Sequence, residues 1–122
     1  MKEMLNDQRV VIKPWGKEVI WARTNEYIGK LIYIDEGKRL SLQLHEIKEE
    51  TILVLEGRLE VVTANHGRKG FDILELNVGD SYHVRPHTVH RFCATRGTPV
   101  VLAEVSTNYI EDVVRLEDDY DR

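Results

Sequence analysis

A chain of 122 residues, 42% hydrophobic and 31% charged, is long enough for one domain with its own core. Its net charge of −4 argues against bulk attraction to nucleic acid or anionic membrane, and its single cysteine, Cys93, excludes an intramolecular disulfide. The opening MKEMLNDQRV lacks an apolar signal-peptide core and no apolar run approaches the ~20 residues of a membrane span, so a cytoplasmic protein is expected.

Residues 1–9 are polar and read as a loose arm. Val10 to Ile12 is a short apolar run stopped by Pro14, with Trp15 and Gly16 behind it. Glu18 to Ala22 and Tyr27 to Ile34 are rich in β-branched and aromatic residues and read as strands; Asp35 to Lys38 is a turn by composition. Leu40 to His45 alternates strictly, with Leu40, Leu42 and Leu44 on one face and Ser41, Gln43 and His45 on the other. If the polar set faces a barrel interior, the leucines face outward and need cover from a second subunit or the N-terminal arm. The reverse assignment leaves His45 in solvent.

Thr51 to Leu55 and Arg58 to Thr63 flank Glu56-Gly57, a tight hairpin by pattern. Residues 64–70 form a polar loop tip that carries a solvated His66. Phe71 to Leu76 is a strand ended by the turn at Asn77 to Asp80; Tyr82 to Arg85 and His90 to Ala94 are strands around Pro86. Val100 to Val105 is a continuous apolar run and reads as buried on both faces. Ile110 to Leu116 reads as a helical turn, and 117–122 as an exposed charged tail. About ten short strands with turn signals every 8–12 residues predict a single all-β domain over 1–122, a barrel or double-sheet roll.

Between Gly37 and Gly57 the spacing is regular. Five residues lead to Gln43-Leu44-His45, four more to Glu50 and six more to Gly57. Gly79 is followed by His90 eleven positions later. These spacings resemble the two motifs of the cupins, with glutamine in place of the first histidine. In the second motif Pro86 lies one place late, His87 stands for a glycine and Ala94 for an asparagine. The resemblance implies a double-stranded β-helix (a jelly-roll barrel) and one divalent metal ion held by Gln43, His45, Glu50 and His90. Strand parity agrees, since residues i and i+2 share a face. Two imidazoles, a carboxylate and an amide oxygen suit zinc first, and also manganese, iron, cobalt or nickel, with positions left for substrate oxygens. The plain alternative makes Gln43 and His45 polar residues on an exposed strand.

The stretch LSLQLH, Pro14-Trp15-Gly16, Lys30, His90-Arg91, Glu104-Val105 and EDVVRLEDDYDR at 111–122 resemble the phosphomannose isomerase branch of the cupins. That branch includes the cupin half of bifunctional mannose-6-phosphate isomerase/mannose-1-phosphate guanylyltransferases. The resemblance implies a sugar or sugar-phosphate ligand and aldose–ketose isomerisation. Glu46, Lys48 and the aliphatic run after Thr51 replace that branch's histidine, arginine and tryptophan, and Ser106 replaces a glutamine. Two other readings therefore stay open: a non-catalytic sugar-binding or regulatory cupin, and a metal-dependent dioxygenase.

Isomerisation needs a base, for which His87, His83 and Glu104 are the candidates. It also needs a phosphate anchor, for which Lys30, Arg85, Arg91 and Arg96 are chemically suited. His87 is alternatively a solvated loop residue, and His83 a half-buried strand residue. By parity with His90, Arg91 points away from the metal. Cys93 shares that parity and reads as packing. Trp15 and Trp21 read as core or dimer residues, with stacking on a sugar as the alternative. Asp112 and Arg115 are placed to pair. A homodimer is expected from the leucine face and from the resemblance.

Overall fold

The computed structural model describes residues 8–64, 69–95 and 97–120. Eleven strands account for the regular structure of the described residues: β1 Arg9–Lys13, β2 Gly16–Arg23, β3 Tyr27–Ile34, β4 Leu42–Leu44, β5 Glu50–Glu56, β6 Leu59–Ala64, β7 Phe71–Leu76, β8 Ser81–Val84, β9 His90–Cys93, β10 Val100–Thr107 and β11 Val114–Glu117. They form two antiparallel sheets, one of six strands in the order β1-β2-β3-β10-β5-β8 and one of five in the order β11-β4-β9-β6-β7. This is the double-stranded β-helix read from the sequence. No helix of the described chain is long and apolar enough to cross a membrane.

The inner faces of both sheets meet in one core. Ile32, Ile52, Val54, Val84 and Leu102 come from the six-stranded sheet, and Leu59, Val61 and Phe92 from the other. Alternation decides which residues reach it. In β10, Val100, Leu102, Glu104 and Ser106 are buried, whereas Val105 is 54% exposed. The apolar run is therefore buried on one face only, because a helix or second layer would be needed to cover the other.

Three local expectations change. Glu56-Gly57 is a corner, not a hairpin: β5 and β6 lie in different sheets. Gly57 has φ +81°, and a Cβ there would lie 2.2 Å from the Pro99 carbonyl oxygen. Residues 110–116 form no helical turn, because Val114 and Arg115 pair with Leu44 and Gln43 as strand β11. Arg9 belongs to β1 and pairs with Ile20, so the expected arm ends before it; residues 1–7 lie outside the described chain.

The leucine face is also already covered. Leu40 joins the core and Leu42 is 7% exposed, beside β11. The argument for a dimer from those leucines therefore falls. The described part of the charged tail, 117–120, is tied down as well: Arg39 donates to both Asp119 oxygens at 2.7 and 2.8 Å, and the Tyr120 hydroxyl donates to the Arg39 carbonyl at 3.2 Å.

Candidate metal centre

Three elements converge on one point. His45 follows the last residue of β4, Glu50 opens β5 and His90 opens β9. β4 and β9 are neighbours, with Gln43 opposite His90, while β5 belongs to the facing sheet. The short 45–49 connection carries the chain from one sheet to the other and delivers both His45 and Glu50 to the gap between them.

His45, Glu50 and His90 are all buried, and a ligand atom from each lies within 4.8 Å of the others. Glu50 Oε1 is 3.2 Å from Nε2 of His45 and 3.2 Å from Nε2 of His90. The far side of each ring fixes the tautomer. His45 Nδ1 contacts the Asp112 carbonyl at 2.5 Å, and His90 Nδ1 contacts the Thr88 carbonyl at 2.8 Å. A carbonyl only accepts, so each Nδ1 carries a proton. With the rings neutral, each Nε2 is then a lone pair aimed at a carboxylate. Three acceptors facing one another need a cation or shared protons between them. His90 Nε2 makes no hydrogen bond despite its burial. This donor set fits a divalent ion, and the carbonyl-held imidazoles are the usual orientation device of such ligands.

Gln43 lines the same cavity, its Oε1 accepting the Ser41 hydroxyl at 2.7 Å. The oxygen keeps a second lone pair for another partner.

A buried ladder of charge continues across the six-stranded sheet. In register, Glu104 lies opposite Lys30, and Glu50 lies one diagonal step away. Lys30 Nζ donates to Glu18 Oε1 at 3.1 Å. Lys48 Nζ sits 3.5 Å from Glu50 Oε2 and 3.5 Å from Glu104 Oε2. Burial and then the charge of Glu50 push Glu104 up to about 8. Burial alone would raise Glu50, but its contacts with the Glu104 carboxyl and the two imidazoles, with the Lys48 charge, hold it well below the usual range. Of this carboxyl pair, Glu104 carries the proton and Glu50 stays ionised.

The cluster opens into a cavity of about 630 Å³. Trp15, Lys30, Lys48 and Glu104 line it, and so do Arg9, Lys13, Arg23 and Arg115 from the outer strands. Tyr109 to Val113 form a further wall.

The candidate residues divide accordingly. Gln43, His45, Glu50 and His90 are brought together, and Glu104 and Lys30 line the same cavity. The others are elsewhere. His83 is exposed on the outer side and pairs with Glu49. His87 is an exposed turn residue with φ 64°; its backbone N–H donates to the His45 carbonyl at 2.7 Å, but its ring is not in the cavity. Arg85 is exposed outside it too. Arg91 is only 4% exposed and holds structure: it donates to the Leu40 carbonyl at 2.9 Å and to Glu117. Arg96 and His66 lie outside the described residues. Asp112 accepts backbone N–H groups rather than pairing with Arg115.

Sequence reasoning missed Lys48, Glu18 and the β1 cations. For β1 a signal existed, since Arg9, Val11 and Lys13 alternate and so share the cavity face. Trp15 is core, and Trp21 packs over Gly29, where a Cβ would lie 2.6 Å from its ring.

Residues 1–118 match the family model described as mannose-6-phosphate isomerase C-terminal. Xanthan biosynthesis protein XanB of Xanthomonas campestris pv. campestris is 32% identical over 117 residues, covering 93% of this chain and 24% of that protein. A mannose-1-phosphate guanylyltransferase of Salmonella muenchen is 27% identical over 110 residues, covering 88% of this chain and 22% of the relative. The chain thus spans less than a quarter of either relative's length. Among solved structures, KdgF from Halomonas sp. superposes with a TM-score of 0.69 at 22% identity, over 87% of this chain and 92% of that one. That likeness is one of fold.

Proposed function

The chain belongs to the mannose-6-phosphate isomerase C-terminal family, and from that membership and the cavity we propose that it binds a sugar phosphate over one divalent metal ion and isomerises it between aldose and ketose. The observation that carries the reading is the His45–Glu50–His90 cluster at the base of a cavity whose walls carry Arg9, Lys13, Arg23 and Arg115. His45, Glu50 and His90 would hold the ion, with Gln43 beside them. When bound, the ion acts as a Lewis acid toward the sugar oxygens.

The chain's own residues do the rest. The wall cations hold the phosphate, where Arg and Lys suit its charge. Trp15 and the buried walls exclude water from one side. Glu104 is the proton-transfer group of this reading, because His83 and His87 lie outside the cavity. Lys48, between Glu50 and Glu104, keeps their charges balanced.

Incubation with mannose 6-phosphate in deuterated water tests the reaction. Deuterium is expected at carbon 2, and Glu104→Gln should abolish its entry without loss of bound metal. His45→Ala should lose the metal itself by elemental analysis. A specific observation favours a second reading, a sugar-binding module without turnover: both candidate histidine bases sit outside the cavity. That reading predicts thermal stabilisation by sugar phosphates with no exchange at carbon 2.

For assembly we propose a homodimer through the outer face of the six-stranded sheet. Cross-strand register places Val10, Val19, Leu31, Ala103 and Leu53 in one row. Leu55, Trp21 and Val105 flank it at 40, 40 and 54% exposure, an apolar surface broad for a monomer. The next row runs Lys17, Tyr33, Val101, Glu56, with a cation at one end and a carboxylate at the other. A two-fold axis along the strands sets each Lys17 against the second copy's Glu56.

A further inference from the structure

We propose that Asp112 is a positioning residue for the metal centre, clamping His45 and the 46–48 loop into one rigid unit so that His45 Nε2 faces Glu50. Its role toward an ion rests on the metal reading above; its role toward His45 does not.

Asp112 lies in the connection between β10 and β11, far from the ligands in sequence. Its carboxylate accepts the backbone N–H of Glu46 on Oδ1 at 3.1 Å, and those of Ile47 and Lys48 on Oδ2 at 2.7 and 2.8 Å. Its carbonyl accepts the His45 Nδ1 proton. One residue thus holds both the ring of His45 and the backbone that follows it.

The 45–49 connection leaves one sheet for the other, so its amides have no ladder partner of their own. The carboxylate supplies one. The Lys48 amide foremost, then those of Ile47 and Glu46, hold Asp112 below the usual carboxylate range despite some desolvation. The same clamp sets the start of Lys48, whose ammonium reaches Glu50 and Glu104.

Asp112 is itself held from both sides. Its N–H donates to the Tyr109 carbonyl at 3.1 Å. Beyond it, β11 pairs with β4, and Arg91 and Arg39 grip Glu117 and Asp119. Residues 111–120, which also bring Arg115 to the cavity wall, thereby acquire a second role: they are the strap that carries Asp112 to His45. Aspartate is the residue that fits. Asparagine has one acceptor oxygen where the loop offers donors to two, and glutamate would push the carbonyl away from the ring.

The experiment compares wild type, Asp112→Asn, Asp112→Ala and Asp119→Asn. Asp119→Asn loosens the same strap at a point remote from His45. Two quantities are read: Zn²⁺ affinity by chelator competition, and the His45 tautomer in metal-free protein by ¹⁵N-correlated NMR. The expected result is a loss of roughly 10- to 100-fold in Zn²⁺ affinity for the Asp112 variants. Their His45 should leave the pure Nδ1–H form, while Asp119→Asn matches wild type in both. If Asp112→Ala does not accumulate folded, Asp112→Asn decides alone. Zn²⁺ affinity within twofold of wild type with an unchanged tautomer overturns the proposal, as does an equal loss in Asp119→Asn. If wild type binds no Zn²⁺ but the tautomer still responds to Asp112, the metal reading fails and the clamp stands.

Discussion

Glu50 draws on four neighbours at once: two imidazoles, a lysine and a second carboxyl. Its place among them was legible in the sequence because the spacing is short. His45 and Glu50 are five positions apart, and one sheet crossing fixes both. Lys48 was not legible in the same way: a loop lysine between two ligands points inward only because Asp112 pins its amide, and no local pattern encodes a contact of that range. Arg91 shows the opposite case. Parity alone turned it away from the metal, and the structure gives it Leu40 and Glu117 as partners.

Cys93 offers a clean test at this scale. It is 4% exposed, and burial raises its thiol from 9.0 to about 11. The neutral form is therefore favoured in the fold. Its contribution to stability is full below the unfolded value and is lost as pH rises from about 9 towards 11. Native protein at pH 8 should react with a thiol reagent only as fast as it opens, and denaturant should release one full equivalent. Rapid stoichiometric labelling of folded protein would contradict this burial.

At the level of elements, the strands were legible and the connections were not. Strict alternation marked Leu40 to His45, β-branched and aromatic composition marked β2 and β3, and a continuous apolar run marked β10, whose single buried face that run did not reveal. Whether two strands joined by a glycine pair with each other depends on what lies across them, and Glu56-Gly57 is the example. Gly57 turns the chain between sheets with its backbone against Pro99. Gly57→Ala is expected to cost about 2 kcal/mol or more, from the positive φ and the contact with that carbonyl. A urea midpoint within error of wild type would show that the corner can relax. β11 was misread because it is an edge strand of four residues whose partner β4 has only three, which leaves almost no periodic signal.

For the molecule as a whole, the candidate metal centre joins the two sheets, since Glu50 comes from one and His90 from the other. Chelation should therefore destabilise the entire fold and not just the site. At a hundredfold excess of ion over Kd the expected loss is about 2.7 kcal/mol, or roughly 10 °C in Tm for a domain of this size. Calorimetry with and without chelator measures it, and an unchanged Tm would separate the site from global stability. The outer face makes a separate prediction. Lys17→Glu should weaken a sedimenting dimer, and adding Glu56→Lys should restore it; a wild-type monomer at high concentration removes the interface.

The reach of Asp112 back to His45 also fixes an order of events during synthesis. A chain growing from its N-terminus presents His45, Glu50 and His90 before residue 112 exists. Until that residue arrives, His45 has no carbonyl to select its tautomer and the loop after it has no acceptor for its amides. A nascent chain thus carries the three side chains without a fixed geometry, and the cluster is complete only when β11 docks.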